Sequence, residues 1–467
     1  MRSRAGSPGT VIVASFRIRC GRCLIGDVTW ERDARRLSAE DLSILAVENE
    51  TVAGHMAKVI VLPGPVDLDL LRSSINGRLT RAPELSLRLG EIDGEPWWVP
   101  DSRVDVRAHV VESERAGAGE ARLPDAVAGI FAQRLDRSRP LWRIDVIPQL
   151  AGGGSALVWR IHHALADGMT AMRMASAVLW DAGPDPAPGG AGGGSARRPP
   201  PGSAGPAERH RLAGLRAAAR EMPQPWLRSP FNGHIDARRA VAFATVGLDE
   251  LHEAAAADGA TVNDAVLTVV AGGLRRWLEA HHGRLGAVRV KVPVSLHALP
   301  PAAGDDGREP GNRDSFFCLD LPLGSADPAE RLAAIRQATR ARKQGHDAQE
   351  IDALMRQLAR TPQLRRFAER VLTHPRSFAL NVSNVPGPRR PVHVLGMPVR
   401  AFYSLAEIRE HHVLRVSVIS LANSLNFGLV ADPTLLPDVD RLARDMQAEA
   451  GALTARLPAA RPTSAGA

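Results

Sequence analysis

His162-His163-Ala164-Leu165-Ala166-Asp167-Gly168 stands between an apolar run, Ala156 to Ile161, and the helical spacing of Met169 to Trp180. The run follows Gly152-Gly153-Gly154-Ser155 and reads as a buried strand. Met172, Ala175 and Leu179 then fall on one side of the predicted helix. Histidine titrates near neutral pH and can take a proton from a hydroxyl as it attacks a thioester. Such a base must be held in one tautomer, which a braced loop does better than a mobile surface. Asp167, four residues beyond His163, can brace the loop by pairing with an arginine. Gly168 lets the backbone approach a substrate or turn sharply into the helix. A plainer reading makes Asp167 only an N-cap and both histidines satisfied polar residues.

Outward from this stretch, 467 residues exceed what one hydrophobic core usually holds, so two domains are expected. Residues 1–36 show no clear periodicity and read as a flexible arm. Leu37-Ser38-Ala39-Glu40-Asp41 opens regular structure with Ser38 as N-cap, and a first domain runs to residue 182. Within it, Lys58 to Leu62 and Trp97 to Val110 read as strands, and Leu68 to Leu79 as a helix. A Pro/Gly/Ser tract followed by a basic helix candidate, Arg209 to Met222, makes residues 183–225 a linker. The second domain, 226–455, alternates again: strands at Val241–Val246, Val288–Val294 and Phe378–Val385, helices at Val262–Leu278 and Pro328–Gln344. Leu414–Leu421 and Leu425–Val430 predict a hairpin turning at Ala422-Asn423-Ser424, and residues 456–467 form a tail. Helices and strands mixed in both halves predict an α/β fold with mixed sheets.

Composition excludes several classes. The net charge is +8, yet only Lys58, Lys291 and Lys343 are lysines, and one tyrosine with 4% aromatics offers little to stack on bases. Nucleic acid is therefore not an expected partner. No run approaches the roughly 18 apolar residues of a membrane span. Arg17 and Arg19 interrupt the N-terminal apolar run, so a cytoplasmic protein without a signal peptide is expected. Cys20 and Cys23 form a lone CxxC with no second ligand pair downstream, and no metal is expected. The chain has no GxSxG, HExxH or GxxxxGK[ST] pattern, so serine hydrolase, zincin and P-loop chemistry have no support. A histidine base without a protein nucleophile suits direct acyl transfer from a thioester to an alcohol or amine.

HHALADG resembles the signature shared by CoA-dependent acyltransferases, peptide-synthetase condensation domains and wax ester synthase/diacylglycerol acyltransferases. Further segments resemble the last family in particular, in its order. These are Leu37 to Asp41, Asp105 to Val110, Arg139-Pro140-Leu141-Trp142, Asn232-Gly233 with Arg238-Arg239, and Thr261-Val262-Asn263-Asp264. Val292 to Leu296, Gly311-Asn312, Val382-Ser383-Asn384-Val385-Pro386-Gly387-Pro388, and Phe427-Gly428-Leu429 with Asp432 continue it. Two places depart from the family pattern. His297 stands where an arginine is usual, and Ser420-Leu421-Ala422-Asn423 replaces Ser-Tyr-x-Gly. His411-His412 matches no family motif and reads as a surface or core pair.

The resemblance implies two chloramphenicol-acetyltransferase-like domains with a tunnel at their interface. It implies His163 as general base, His162 shaping the loop and Asp167 orienting it, beside Gly168. Pro140, Leu141, Trp142, Asn263, Asp264, Ser383 and Asn384 would position substrate or support the channel, with oxyanion donors near Asn263. The plain reading of these segments is a buried Pro140–Trp142, a helix cap at Asn263-Asp264, and a rigid turn after Asn384 with φ > 0 at Gly387. Acyl-CoA would be the co-substrate, with no cofactor or metal, and diacylglycerol or a long-chain alcohol the acceptor. Peripheral association with the inner face of the plasma membrane, a lipid droplet or lipid inclusions fits such an acceptor. Two other readings keep the signature: a condensation-type acyltransferase fed by a carrier-protein thioester, and a catalytically silent lipid-surface protein using Arg209–Met222 and Arg356–Arg370.

Overall fold

Capping and burial place the elements that frame the histidine turn. The computed structural model describes residues 34–114, 122–182, 219–224, 229–283, 285–295, 314–344, 351 and 374–456. The arm, most of the linker and basic helix, His297, Gly311-Asn312, the arginine-rich 356–370 stretch and the tail beyond residue 456 lie outside the described residues.

Strand β1 is Arg35–Arg36, and helix α1, Ala39–Val47, starts at the predicted Ser38 cap. Ser38 Oγ accepts from Asp41 N (3.0 Å) while Asp41 Oδ2 accepts from Ser38 N (3.0 Å), a reciprocal capping box. The same carboxylate accepts from Trp98 Nε1 (3.1 Å), which ties the cap to the neighbouring sheet. Strand β2, His55–Leu62, begins three residues before the predicted Lys58 and is buried at every position but one. Such a strand, covered on both faces, shows no alternation for sequence reading to find.

Helix α2 (Leu68–Arg78) leads to strands β3 (Leu87–Ile92) and β4 (Glu95–Pro100). The single strand expected over Trp97–Val110 is not formed. β4 ends at Pro100, Asp105 Oδ1 accepts from Arg107 N (3.1 Å), and the short helix α3, Val106–His109, intervenes before strand β5, Val110–Glu112. A capping aspartate and a proline outweigh the β-propensity of the valines here.

Helix α4 (Leu123–Phe131), strands β6 (Trp142–Ile147) and β7 (Ser155–His162) and helix α5 (Gly168–Val178) complete the first half. In the second half, strands β8 (Ala240–Gly247), β9 (Arg289–Ser295) and β11 (Leu380–Val385) fall on the predicted runs with ends moved by one or two residues, and β10 (Asp314–Asp320) is a strand that the sequence reading did not predict. The remaining strands are β12 (His393–Val394), β13 (Met397–Pro398), β14 (Ala401–Ala406), β15 (Leu414–Leu421) and β16 (Ser424–Ala431). Helices span Leu248–Ala257, Val262–His282, Pro328–Gln344 and Val439–Thr454.

A five-stranded sheet has the order β14-β2-β7-β6-β5, and a six-stranded one β10-β9-β11-β15-β16-β8. Both mix parallel and antiparallel pairs, as expected for this α/β class. β14, from the second half of the chain, pairs antiparallel with β2 and so completes the first sheet. Two hydrophobic cores result. Trp98, Trp142 and Trp159 sit in the core around α5, each with its large side chain almost wholly removed from water. Among the described residues no helix is long and apolar enough to cross a membrane.

Candidate active site

β7 sets the direction of the turn because its end is clamped from both sides. His162 N donates to Leu141 O (2.9 Å) and His163 N to Gly54 O (3.0 Å). Leu165 N and Ala166 N then donate back to His162 O at 3.0 and 3.3 Å, closing a tight turn of buried Ala164, Leu165 and Ala166.

His162 is 1% exposed. Its Nδ1 accepts from Ala164 N (3.1 Å), so the ring proton sits on Nε2 and donates to Glu48 Oε2 (3.2 Å). Arg137 grips the same Glu48 oxygen through Nε (3.0 Å) and Nη2 (2.6 Å), and Nη2 also reaches Leu45 O. Burial opposes the charge on Glu48, but the hydrogen bonds from His162 and Arg137 hold its carboxyl below the ordinary value. Gly54, at φ +70°, lies against this ring, and a Cβ there would stand 2.7 Å from His162 Nε2.

His163 is half-buried at the mouth of the turn. Burial, then the charges of Arg415 and Arg409, hold its imidazole well below the ordinary histidine value. The ring is therefore neutral at physiological pH, the form a general base needs.

Asp167 is 2% exposed and caps α5, its Oδ1 accepting from Thr170 N (2.7 Å). Its charge also acts on Lys58, a buried lysine on β2 that donates to Ser404 Oγ (2.9 Å). Burial brings that lysine down to about 8, with Asp167 opposing. Gly168 is the first residue of α5, and a Cβ there would come within 3.1 Å of Val385 Cγ2 at the end of β11. The turn thus touches the other sheet at this point.

The remaining predicted residues fall into structural positions. Pro140, Leu141 and Trp142 are buried; Trp142 Nε1 donates to Leu85 O (2.7 Å) and its ring stacks on His109 at 4.3 Å. Asp264 forms a capping box with Thr261 and accepts from Thr339 Oγ1 (2.6 Å), while half-buried Asn263 lies in the same first helical turn. Ser383 Oγ and Ser417 Oγ meet across the β11–β15 pair at 3.3 Å, and Asn384 is half-buried beside it.

Gly387 does not adopt the positive φ expected of it. It is required by close approach instead, since a Cβ there would stand 1.9 Å from Ser420 O. Gly387 N donates to Ser420 Oγ (2.9 Å) and Ala422 N to Pro388 O (2.8 Å). The departure Ser420–Asn423 therefore still clasps this loop. The hairpin turns on Ala422-Asn423 alone, one residue tighter than predicted, with Ala422 at φ +48°.

His411 and His412 separate in environment. His412 is buried and stacks on Phe378 at 4.0 Å, whereas His411 is half-buried. Glu48, Arg137, Gly54 and Lys58 were not singled out from sequence. Lys58 alone carries a signal, being a lysine inside an apolar strand. Two concavities of about 540 and 460 Å³ border the helix Pro328–Gln344 and do not touch the histidine turn.

A family model described as the wax ester synthase/diacylglycerol acyltransferase catalytic domain matches residues 37–199 and 201–266. One described as the WS/DGAT C-terminal domain matches 310–453. A Mycobacterium tuberculosis H37Rv protein named a probable diacylglycerol O-acyltransferase is 29% identical over 442 residues, covering 89% of this chain and 93% of that one. Another, from strain CDC 1551 and named provisionally for the same activity, is 31% identical over 443 residues, 85% of this chain and 92% of that one. Among solved structures, the wax ester synthase/diacylglycerol acyltransferase from Marinobacter aquaeolei VT8 aligns with a TM-score of 0.65 and 23% identity, covering 90% and 98% of the two chains. The first condensation domain of the CDA synthetase aligns at 0.56 with 16% identity, covering 90% and 96%, a likeness of fold.

Proposed function

This chain belongs to the wax ester synthase/diacylglycerol acyltransferase family, and we propose that it moves a long-chain acyl group from acyl-CoA to the hydroxyl of a diacylglycerol with His163 as general base. The observation that carries the assignment is the place of His163 at the exit of β7, on a tight turn that His162 and Glu48 brace.

In this reading His163 takes the proton of the acceptor hydroxyl while the oxygen attacks the thioester carbonyl. The carbon–sulfur bond then breaks, and the imidazolium returns its proton to the leaving thiolate. Burial first, and then the charges of Arg415 and Arg409, disfavour a resting imidazolium, so the base starts empty and gives its proton up readily. Asp167 holds the turn by capping α5 and takes no proton. His162 shapes the turn, since both of its ring nitrogens are engaged within the protein. Asn263 at a helix N-terminus supports a donor role toward the oxyanion. Acyl-CoA and acceptor reach His163 from opposite sides of the interface between the two halves. The acceptor comes from a lipid surface, to which a net charge of +8 favours attraction. The chemistry asks for no metal.

Palmitoyl-CoA incubated with diacylglycerol, with hexadecanol and with no acceptor provides the test, read as released CoA and lipid product. Acceptor-dependent release with triacylglycerol formed, abolished in His163→Ala, is the expected result. Full turnover by His163→Ala would remove the base assignment. Transfer seen only from a carrier-protein thioester would favour the condensation-type reading.

A further inference from the structure

Two segments distant in sequence meet at the surface through His234, Glu410 and His411. Their backbones are cross-tied by His411 N donating to Gly233 O (3.0 Å) and Val413 N to Phe231 O (3.0 Å), and the Asn232 side chain adds Nδ2 donating to His411 O (2.8 Å). His411 sits at φ +67°, a conformation uncommon outside glycine, and its ring meets that of His234 with centroids 4.8 Å apart. Glu410 Oε1 contacts His234 Nδ1 and lies 3.9 Å from His411 Nδ1. One donor atom from each of the three residues lies within 4.8 Å of the others.

We propose that His234, Glu410 and His411 form a binding site for a divalent transition-metal ion of the zinc class. Two imidazoles and one carboxylate suit zinc and its neighbours, whereas magnesium and calcium prefer oxygen alone. Bonds of about 2.0–2.1 Å place tetrahedral ligand atoms roughly 3.3 Å apart. His234, whose side chain is 88% exposed, has the freedom to close the remaining distance. The ion would replace the proton between His234 and Glu410, and three protein ligands leave a fourth position for water. Its effect would be to clamp the segment leading into β8 to the segment between β14 and β15. The acyl transfer described above takes no step through it.

Zinc titration of the full chain by calorimetry, with magnesium as control, tests this. His234→Ala alters an exposed side chain, and His411→Asn keeps a residue type that tolerates positive φ. Saturable zinc binding near one equivalent is expected, with a raised melting temperature and no response to magnesium. Each variant should bind at least about tenfold more weakly while melting like the wild type in metal-free buffer. No saturable binding by the wild type would overturn the proposal. So would equal binding by wild type and both variants, because the ion would then sit elsewhere, the Cys20–Cys23 pair included.

Discussion

His162 Nε2 and Glu48 Oε2 stand 3.2 Å apart, joining the end of a central strand to the C-terminal end of a helix 114 positions earlier. The bond fixes the His162 tautomer, and His162 in turn holds Ala164 N through Nδ1. The ring that follows, His163, is aimed by this brace and by the Gly54 carbonyl.

Removing the carboxylate should therefore loosen the turn. Glu48→Ala leaves the buried His162 N–H unsatisfied, at a cost of about 1–3 kcal/mol. Glu48→Gln keeps an acceptor for His162 and should recover much of that stability. Thermal denaturation and kcat of both variants check this; equal melting temperatures for Ala and wild type would refute it. Because Glu48 titrates below its ordinary value when folded, its stabilisation is present above about pH 4.5 and fades as pH falls through the lowered value.

Loss of the His163 imidazole should abolish turnover and leave folding intact. The pH profile is more diagnostic. With the folded imidazole well below 6.5, kcat/KM of the wild type should stay level through pH 6.5 and decline only at lower pH. Below 6.5 the unfolded histidine binds a proton that the folded one does not, so stability rises with pH across that window and is lost as pH falls. A profile inflecting at 6.5 would contradict the desolvated, cation-flanked ring.

Gly54→Ala tests the seat of His162 directly. An alanine Cβ would lie 2.7 Å from Nε2 in a backbone conformation of φ +70°. The left-handed strain alone costs about 1–2 kcal/mol, and displacing the imidazole adds to it. We expect a lowered melting temperature together with a fall in kcat, measured on the same preparation.

Asp167→Ala should destabilise by about 0.5–2 kcal/mol through loss of the α5 cap. Asp167→Asn keeps the acceptor for Thr170 N but removes the charge that faces buried Lys58. It should melt above the alanine variant and below the wild type. An alanine variant that melts like the wild type would count against the bracing role.

The local parts of this design were legible in the chain itself. HHALADG between an apolar run and a helical run, the Ser38 cap, and the β15–β16 hairpin depend on contacts within a few residues, which residue type and spacing encode. The same locality misled over Trp97–Val110, where Pro100 and the Asp105 cap overruled propensity. Tertiary structure alone decided that Glu48 and Arg137 lock His162, that β14 closes the first sheet beside β2, and that Gly387 serves a close approach to Ser420 rather than a positive φ. It also decided the charge state of His163, because burial and the field of Arg415, on β15, and Arg409, in the segment before it, come from more than two hundred residues away. Residue type made the histidine able to titrate near neutrality; only the packing around it determines that the imidazole rests neutral.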